Sequence, residues 1–317
     1  MTSVIRTEQL TKDFSAGFWR PKPRRALDAA SFDVPRGEVF GLLGPNGAGK
    51  TTTLKLLMDL LRPTAGRIEI FGKPAGDPDV RQRVGFVPEQ PYYYDHLTAD
   101  ELVRYFAGLS GVPAADRSAR TAAVLARTGI RDEDRRRPLR TFSKGMLQRV
   151  GLAQALVHDP DLIVLDDPMS GLDPVGRRDV REIILSLRDE GRTVLFSSHI
   201  LSDAEQLCSR VAILARGKVV ALGALTELTA PARRGAEVTV AQLTADAAAM
   251  FSTRAVRVTA IAEGRYSFEL APGERPEPFI AALADSGASL VSGTPVRASL
   301  EDVFLEAIQS AGARELK

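Results

Sequence analysis

"GLLGPNGAGKTTT", residues 41–53, sets a glycine-rich segment between an apolar run and a helix-forming run. The residues leading into it, "EVFGLLG" (38–44), have the character of a buried strand, and "KTTTLKLLMDLL" (50–61) has that of a helix. Gly44, Pro45, Asn46, Gly47, Ala48, Gly49, Lys50 and Thr51 satisfy the pattern G-x-x-x-x-G-K-[ST] in the strand–loop–helix context it requires. Glycines let backbone amides wrap close to phosphate oxygens, and the helix N-terminus adds positive potential. Lys50 then serves as a point charge for the β- and γ-phosphates, and Thr51 as a hydroxyl ligand for Mg²⁺, with Thr52 beside it in the phosphate site. The stretch predicts a nucleoside triphosphate site.

Downstream, "LIVLDDPMSGLDP" (162–174) ends a branched apolar run on two adjacent carboxylates, Asp166 and Asp167. Side chains alternate across a strand, so the two acids point in different directions and can serve different tasks. In isolation they would suit helix capping. Beside a phosphate loop, Asp166 becomes the carboxylate that holds Mg²⁺, and Asp167 is left as the candidate base for an attacking water. "TFSKGMLQRVGLAQAL" (141–156) places a Ser and a Gly at a helix start, a second anion-binding arrangement, which suggests a nucleotide sandwiched between two subunits. "LFSSHI" (195–200) leaves His199 just past a strand, within reach of a γ-phosphate.

The rest of the chain sets the frame. Its 317 residues suffice for one large and one smaller domain, and 44% apolar with 26% charged residues is a globular composition. Lys plus Arg (42) nearly balances Asp plus Glu (40), so no nucleic-acid partner is expected, and the basic runs "RPKPRR" (20–25) and "RRRPLR" (135–140) suit solvated surface. The single cysteine, Cys208, excludes an internal disulfide and suits buried filler. No window approaches 18 uninterrupted apolar residues, and "VAILARGKVVALGAL" (211–225) divides into two short strands about a turn at Gly217.

Strands alternate with helices to about residue 230, predicting a mainly parallel sheet covered by helices. "RIEIFG" and "VGFVPE" are short strands. A helical subdomain interrupts the pattern, opening with a capping box at Thr98 and Glu101 and continuing in a helix over about 114–129. Beyond the linker "LTAPARRGA" (228–236), "EVTVAQL", "AVRVTAIA" and "RYSFELA" have strand period, "PEPFIAALADSG" is a helix, and "SLEDVFLEAIQSA" is a capped final helix. This second, α+β segment contains no catalytic constellation.

Taken in order, "GPNGAGKT", "FSKGM", "LIVLDD", "SGLDP" and His199 resemble the Walker A loop, signature, Walker B strand, D-loop and His switch of the ATP-binding subunits of ABC transporters, over about residues 4–230. The resemblance implies an α/β P-loop NTPase core of the ABC ATPase type over 1–230, with the helical subdomain at about 90–160, followed by a small α+β domain over 231–317. It implies ATP and Mg²⁺ as cofactors, with Lys50, Asp167 and His199 in the catalytic set. It further implies that Ser143, Lys144 and Gly145 contact the γ-phosphate bound by a partner subunit, and that Asp173 of the D-loop communicates between the two sites. Phe14, in "LTKDF", falls where the family stacks an aromatic on adenine, with Phe18 or Trp19 as alternatives.

Two positions depart from the family pattern. Glu89 stands where a Gln is common, with Gln90 next to it, and either can fill the Q-loop role; Asp167 replaces the usual Glu. The alternative to a transport ATPase is therefore a regulatory ATP-binding protein of very slow turnover. A chromosome-organising relative would need a long coiled coil between Lys50 and Ser143, and a ribosome-associated one usually carries a second phosphate loop; the sequence contains neither. The "SKGM" signature, the "VPE" Q-loop and the C-terminal "SLEDVFLEAI" resemble those of bacterial export ATPases. That implies a separately encoded ABC permease, a homodimer or paired ABC subunit, and a peripheral place on the cytoplasmic face of the membrane. Tyr92, Tyr93 and Tyr94, directly after the Q-loop, are expected to face the permease or to pack inside the subdomain.

Overall fold

In the computed structural model, residues 3–16, 22–229, 235–271, 273–295 and 299–313 are described. They divide into two compact units, one of Met1–Ala224 with Ala307–Lys317 and one of Leu225–Glu306.

In the first unit, β1 (Ser3–Ala16) and β2 (Lys22–Pro35) pair antiparallel. β3 (Val39–Leu43) follows, and the phosphate-loop sequence leads from it into α1 (Lys50–Leu57). β4 (Ala65–Ile70) and β5 (Lys73–Pro74) join β1 and β2 in a four-stranded sheet of order β2-β1-β4-β5. A short α2 (Pro78–Arg81) precedes β6 (Val84–Val87). The central sheet is completed by β7 (Leu162–Asp166), β8 (Thr193–Ser198), β9 (Arg210–Ala215) and β10 (Lys218–Ala224), in the order β10-β9-β3-β8-β7-β6. Its pairings are parallel except for the β9–β10 hairpin. Every residue of β3, β7 and β8 is buried, as a parallel strand covered on both faces demands.

The expected parallel sheet is therefore accompanied by an antiparallel one, and "RIEIFG" belongs to the latter. β1 and β2 escape a period-two reading because register shifts interrupt their pairing and Gln9 (φ 48°) and Ala29 (φ 51°) take left-handed backbone, which breaks the alternation. One apolar core joins the two sheets: Ile5, Leu10 and Leu27 from the antiparallel sheet pack with Leu54 and Leu57 of α1 and with Leu42, Val164 and Leu195 of the central strands. Helix α1 stops at Leu57 rather than running to residue 61. Asp59 adopts φ 53°, its N–H reaches the Leu56 carbonyl (3.1 Å), and the Leu60 N–H reaches that of Lys55 (2.9 Å), a Schellman ending.

The helical subdomain comprises α3 (Ala99–Leu109), α4 (Arg117–Arg127) and α5 (Lys144–Leu156). Thr98 and Glu101 form both arms of the capping box, with the Glu101 N–H on Thr98 Oγ1 (3.2 Å) and the Thr98 N–H on Glu101 Oε2 (2.9 Å). Helix α4 ends short of the expected residue 129 because Gly129 turns left-handed (φ 73°). After β7 comes α6 (Pro174–Asp189), and after β8 comes α7 (Leu201–Leu207). Cys208 is buried, and burial pushes its thiol pKa up.

The second unit opens on α8 (Leu225–Leu228) and continues as β11 (Ala236–Ala241), α9 (Ala245–Ser252), β12 (Arg257–Ala262), β13 (Arg265–Glu269), α10 (Pro276–Asp285) and β14 (Ser289–Pro295). The β-α-β-β-α-β succession with antiparallel order β12-β13-β11-β14 is a ferredoxin-like arrangement. Val238, Val240 and Phe268 meet Phe251, Phe279 and Leu283 of the two longer helices, with edge-to-face rings 5.5–5.6 Å apart. The sequence pattern misses α9, whose alanine run has no apolar stripe, and β14, where serines and Gly293 dilute strand character. α11 (Leu300–Ala313) starts at a reciprocal cap: the Asp302 N–H reaches Ser299 Oγ (3.1 Å) and the Ser299 N–H reaches Asp302 Oδ2 (3.0 Å).

Candidate functional site

The loop between β3 and α1 is held open by packing against backbone. Gly49 has φ 110°, and a Cβ there would stand 2.6 Å from the Ala26 carbonyl oxygen of β2. The Ala48 carbonyl accepts the Gly217 N–H (2.9 Å), and the Gly217 carbonyl accepts the Asp28 N–H (2.9 Å). The two-residue turn Arg216–Gly217, both at positive φ (48° and 81°), is thus bolted between the loop and β2. Lys50 bends its amine back onto the Gly44 (2.7 Å) and Pro45 (3.2 Å) carbonyls, across the loop. Burial pulls the Lys50 pKa down from its ordinary value, and the carboxylates of Asp167, Asp166 and Glu89 oppose that shift.

Across the site, parallel pairing of β7 with β8 sets Asp166 opposite Ser197. The Ser197 hydroxyl donates to Asp166 Oδ1 (2.7 Å) and accepts the Asp167 N–H (2.9 Å). Thr51 Oγ1 reaches the same Asp166 oxygen at 3.2 Å. Asp167 leaves the strand with φ 46°, a left-handed conformation that Asp tolerates better than most residues, and its Oδ2 accepts the His199 Nδ1–H at 2.6 Å. The two acids, 3% and 9% exposed, therefore do face different partners, one toward the phosphate loop and one toward His199. Ser197 was not singled out in the sequence; a hydroxyl inside a buried β8 run, level with the Walker B acid, is the signal that could have found it.

The donor chemistry of this corner suits Mg²⁺. It offers one hydroxyl and one carboxylate oxygen, and among the described residues no cluster of three His, Cys, Asp or Glu side chains could hold a metal unaided. Mg²⁺ takes one or two protein oxygens and fills its octahedron with substrate phosphates and water.

A cleft of about 690 Å³ brings together Asn46, Gly47, Gly49, Lys50, Thr51 and Thr52 with Asp166, Asp167, Glu89 and Phe14. Gly44, Pro45 and Ala48 shape the loop without lining this cleft, and Gln90 does not line it either, so Glu89 is the Q-loop residue that faces it. Phe14 is 37% exposed; Phe18 and Trp19 lie outside the described residues. Arg24, Arg25, Ala26 and Arg216 also line the cleft, unforeseen from the sequence. Arg24 and Arg25 are exposed, as the solvated reading of "RPKPRR" expects, and strand β2 also carries them back along β1 to border the cleft.

The signature residues lie elsewhere. Ser143, exposed, caps α5 by accepting the Met146 N–H (3.2 Å), and neither it, Lys144 nor Gly145 lines the cleft. The Lys144 side chain lies over Gly171 of the D-loop, and Asp173 caps α6 through the Gly176 N–H (2.9 Å). Of the three tyrosines, Tyr92 (95%) and Tyr94 (60%) are exposed, but the Tyr93 hydroxyl is buried against Gly151 of α5 with no hydrogen-bond partner. Tyr93 is thus a packing residue of the subdomain, and its buried phenol has a raised pKa.

The family model for ABC transporters matches residues 27–170, which include the loop, the signature and both Walker B acids. An ABC transporter ATP-binding protein of Synechocystis sp. is 42% identical over 311 residues, covering 98% of this chain and 86% of that protein. The chain belongs to the ABC transporter ATP-binding proteins. A fluoroquinolones export ATP-binding protein of Mycobacterium tuberculosis is 42% identical over 230 residues, 72% of this chain and 73% of that protein. A solved dimeric ATP-binding cassette in a post-hydrolysis state, bound to ADP and Pi, matches with TM-score 0.64 and 25% identity over 70% of this chain and 98% of that one.

The loop geometry separates two glycines. Gly47 (φ 79°) has open space where a Cβ would go, whereas Gly49 combines positive φ with the Ala26 carbonyl. Backbone strain of this kind costs about 1–3 kcal/mol. Gly49→Ala is expected to weaken ATP binding, measured by calorimetry, clearly more than Gly47→Ala does; equal losses would contradict a loop shaped by β2.

Proposed function

We propose that the chain is the ATP-hydrolysing subunit of an exporter, working as a nucleotide-dependent dimer beneath a separate membrane permease. The observation that carries this reading is the division of the site. Phosphate loop, metal oxygens and base share one cleft, while Ser143, Lys144 and Asp173 sit at exposed helix starts outside it. A helix start with free amides and an exposed Ser is fitted to an anion, so the signature of one copy would close on the triphosphate held by the other. The dimeric cassette among the solved relatives supports that pairing, and the name of the mycobacterial relative supports export. Among the described residues no helix is long and apolar enough to cross a membrane, in keeping with a path supplied by a separate permease at whose cytoplasmic face this subunit would sit.

In the proposed mechanism Lys50 neutralises charge on the β- and γ-phosphates, and Gly44–Thr52 present amides and hydroxyls to them. Thr51 and Asp166 would hold Mg²⁺, which would supply charge neutralisation for the phosphates. Asp167 accepts the proton of the attacking water, and His199, donating through Nδ1, orients that carboxylate and leaves its Nε2 for the γ-phosphate. Phe14 stacks the purine. ATP thus becomes a ligand shared by two copies, and it stabilises the closed dimer by mass action.

If Ser143 acts only across the dimer, Ser143→Arg leaves ATP binding to the isolated subunit near native while abolishing ATP-dependent dimerisation in size-exclusion chromatography. Loss of monomer binding as severe as that of Lys50→Ala would contradict the assignment.

The exposed pair Tyr92 and Tyr94, following the Q-loop, is the expected permease contact, because tyrosine buries large area at low conformational cost. Replacing both with Ala should weaken permease association by about 2 kcal/mol or more and leave the ATPase rate of the isolated subunit unchanged. Equal loss of both properties would assign them to internal packing.

A further inference from the structure

Four residues line the nucleotide cleft without a counterpart in any motif: Arg24, Arg25, Ala26 and Arg216. Ala26 is fixed by its carbonyl, which lies where Cβ atoms at Gly49 (2.6 Å) and Gly217 (2.9 Å) would have to go, so it marks the phosphate end of β2. Arg25 is already occupied. It forks onto Asp13 (2.9 and 3.2 Å) and reaches Asp28 (3.0 Å), and the hydrogen bonds it donates to Asp13 raise its pKa further. Arg24 differs on both counts. Among the described residues its side chain has no hydrogen bond or ion pair, and it stands two residues before Ala26 on the same strand, about 7 Å farther from the phosphate loop at ordinary strand rise.

That displacement brings Arg24 level with Phe14. The two are direct partners in the antiparallel register of β1 and β2. Such partners carry Cβ atoms about 4.5–5.5 Å apart on one sheet face. The Phe14 ring is itself backed: Lys12 Nζ lies 5.2 Å from the ring centroid and is held by the Arg62 carbonyl (2.7 Å). An aromatic ring with an ammonium held over it and a guanidinium at the facing strand position thus line the cleft together, displaced along β2 from the phosphate loop.

We infer that Arg24 is a nucleotide-selecting residue whose guanidinium plane stacks with Phe14 against the purine of the bound nucleotide, rather than neutralising phosphate. This rests on the assignment of the cleft to ATP. Guanidinium planes stack on bases much as aromatic rings do, and lysine, a point charge without a plane, does not replace them. The pair therefore acts on the base and is indifferent to the number of phosphates.

Calorimetric titration of the full chain with ATP and with inorganic tripolyphosphate tests the inference. A stacked base is worth about tenfold or more in affinity. Arg24→Ala and Arg24→Lys should therefore both weaken ATP binding to about that extent, with tripolyphosphate binding equal to that of the native chain. Unchanged ATP affinity in Arg24→Ala, parallel loss for ATP and tripolyphosphate, or full restoration by Arg24→Lys would overturn it. If the native chain bound no ATP, the assignment of the cleft itself would fail, which is a different outcome from an unaffected Arg24 variant.

Discussion

Asp166 faces Ser197 across the parallel pairing of β7 and β8, and the chemistry of the site depends on that register. Ser197 holds one Asp166 oxygen and, through the Asp167 N–H, the backbone of the next residue, so both acids are fixed by a single hydroxyl inside the sheet. A slip of one residue would turn Ser197 to the other face and release both. Every residue of β7 (LIVLD) and β8 (TVLFSS) is buried, so a slip would leave their polar ends buried without partners, which opposes it. At the neighbouring strand end the phosphate loop is fixed by the same sheet, since β3 pairs with β8. Loop and acids are therefore two ends of one hydrogen-bonded ladder, and Thr51 closes the gap between them at 3.2 Å.

The cleft is walled by strands of both sheets. β2 supplies the carbonyl that leaves room only for glycine at position 49, the β9–β10 turn clasps Ala48, and β1 brings Phe14 to the cleft wall. The antiparallel sheet thus does more than cover the core: it shapes the phosphate loop from outside. The second unit has its own core of Phe251, Phe268 and Phe279.

The phosphate loop, the two acids and His199 were legible because each is a short pattern in which spacing alone dictates geometry. Asp166 and Asp167 needed only strand alternation and a loop to aim at. Arg24 and Arg216 were not legible, because their position depends on which strand passes the loop, and that is decided by pairings between residues far apart in sequence. Ser197 was hidden for the opposite reason: it lies inside a quoted motif, but its task appears only when its strand is paired with β7. The three tyrosines divide between the two alternatives the sequence leaves open, and the buried hydroxyl shows that Tyr93 is the one that turns inward against α5. In the second unit, an alanine-rich helix and a serine-diluted strand carry too little hydrophobic contrast to be seen without their partners.

The central claim is that the strand end at β7 carries two functional carboxylates, one for the metal and one for water. Asp167 is one methylene shorter than the Glu usual in the family, so its reach to the attacking water decides the rate. Single-turnover hydrolysis of bound ATP by Asp167→Asn, followed alongside its oligomeric state, is the direct measurement. A positioned base contributes about 10²–10⁴ in rate, so the variant should retain ATP, accumulate as a dimer and hydrolyse slower by that factor. Hydrolysis at the native rate would show that Asp167 is not the base and that only Asp166 serves the reaction.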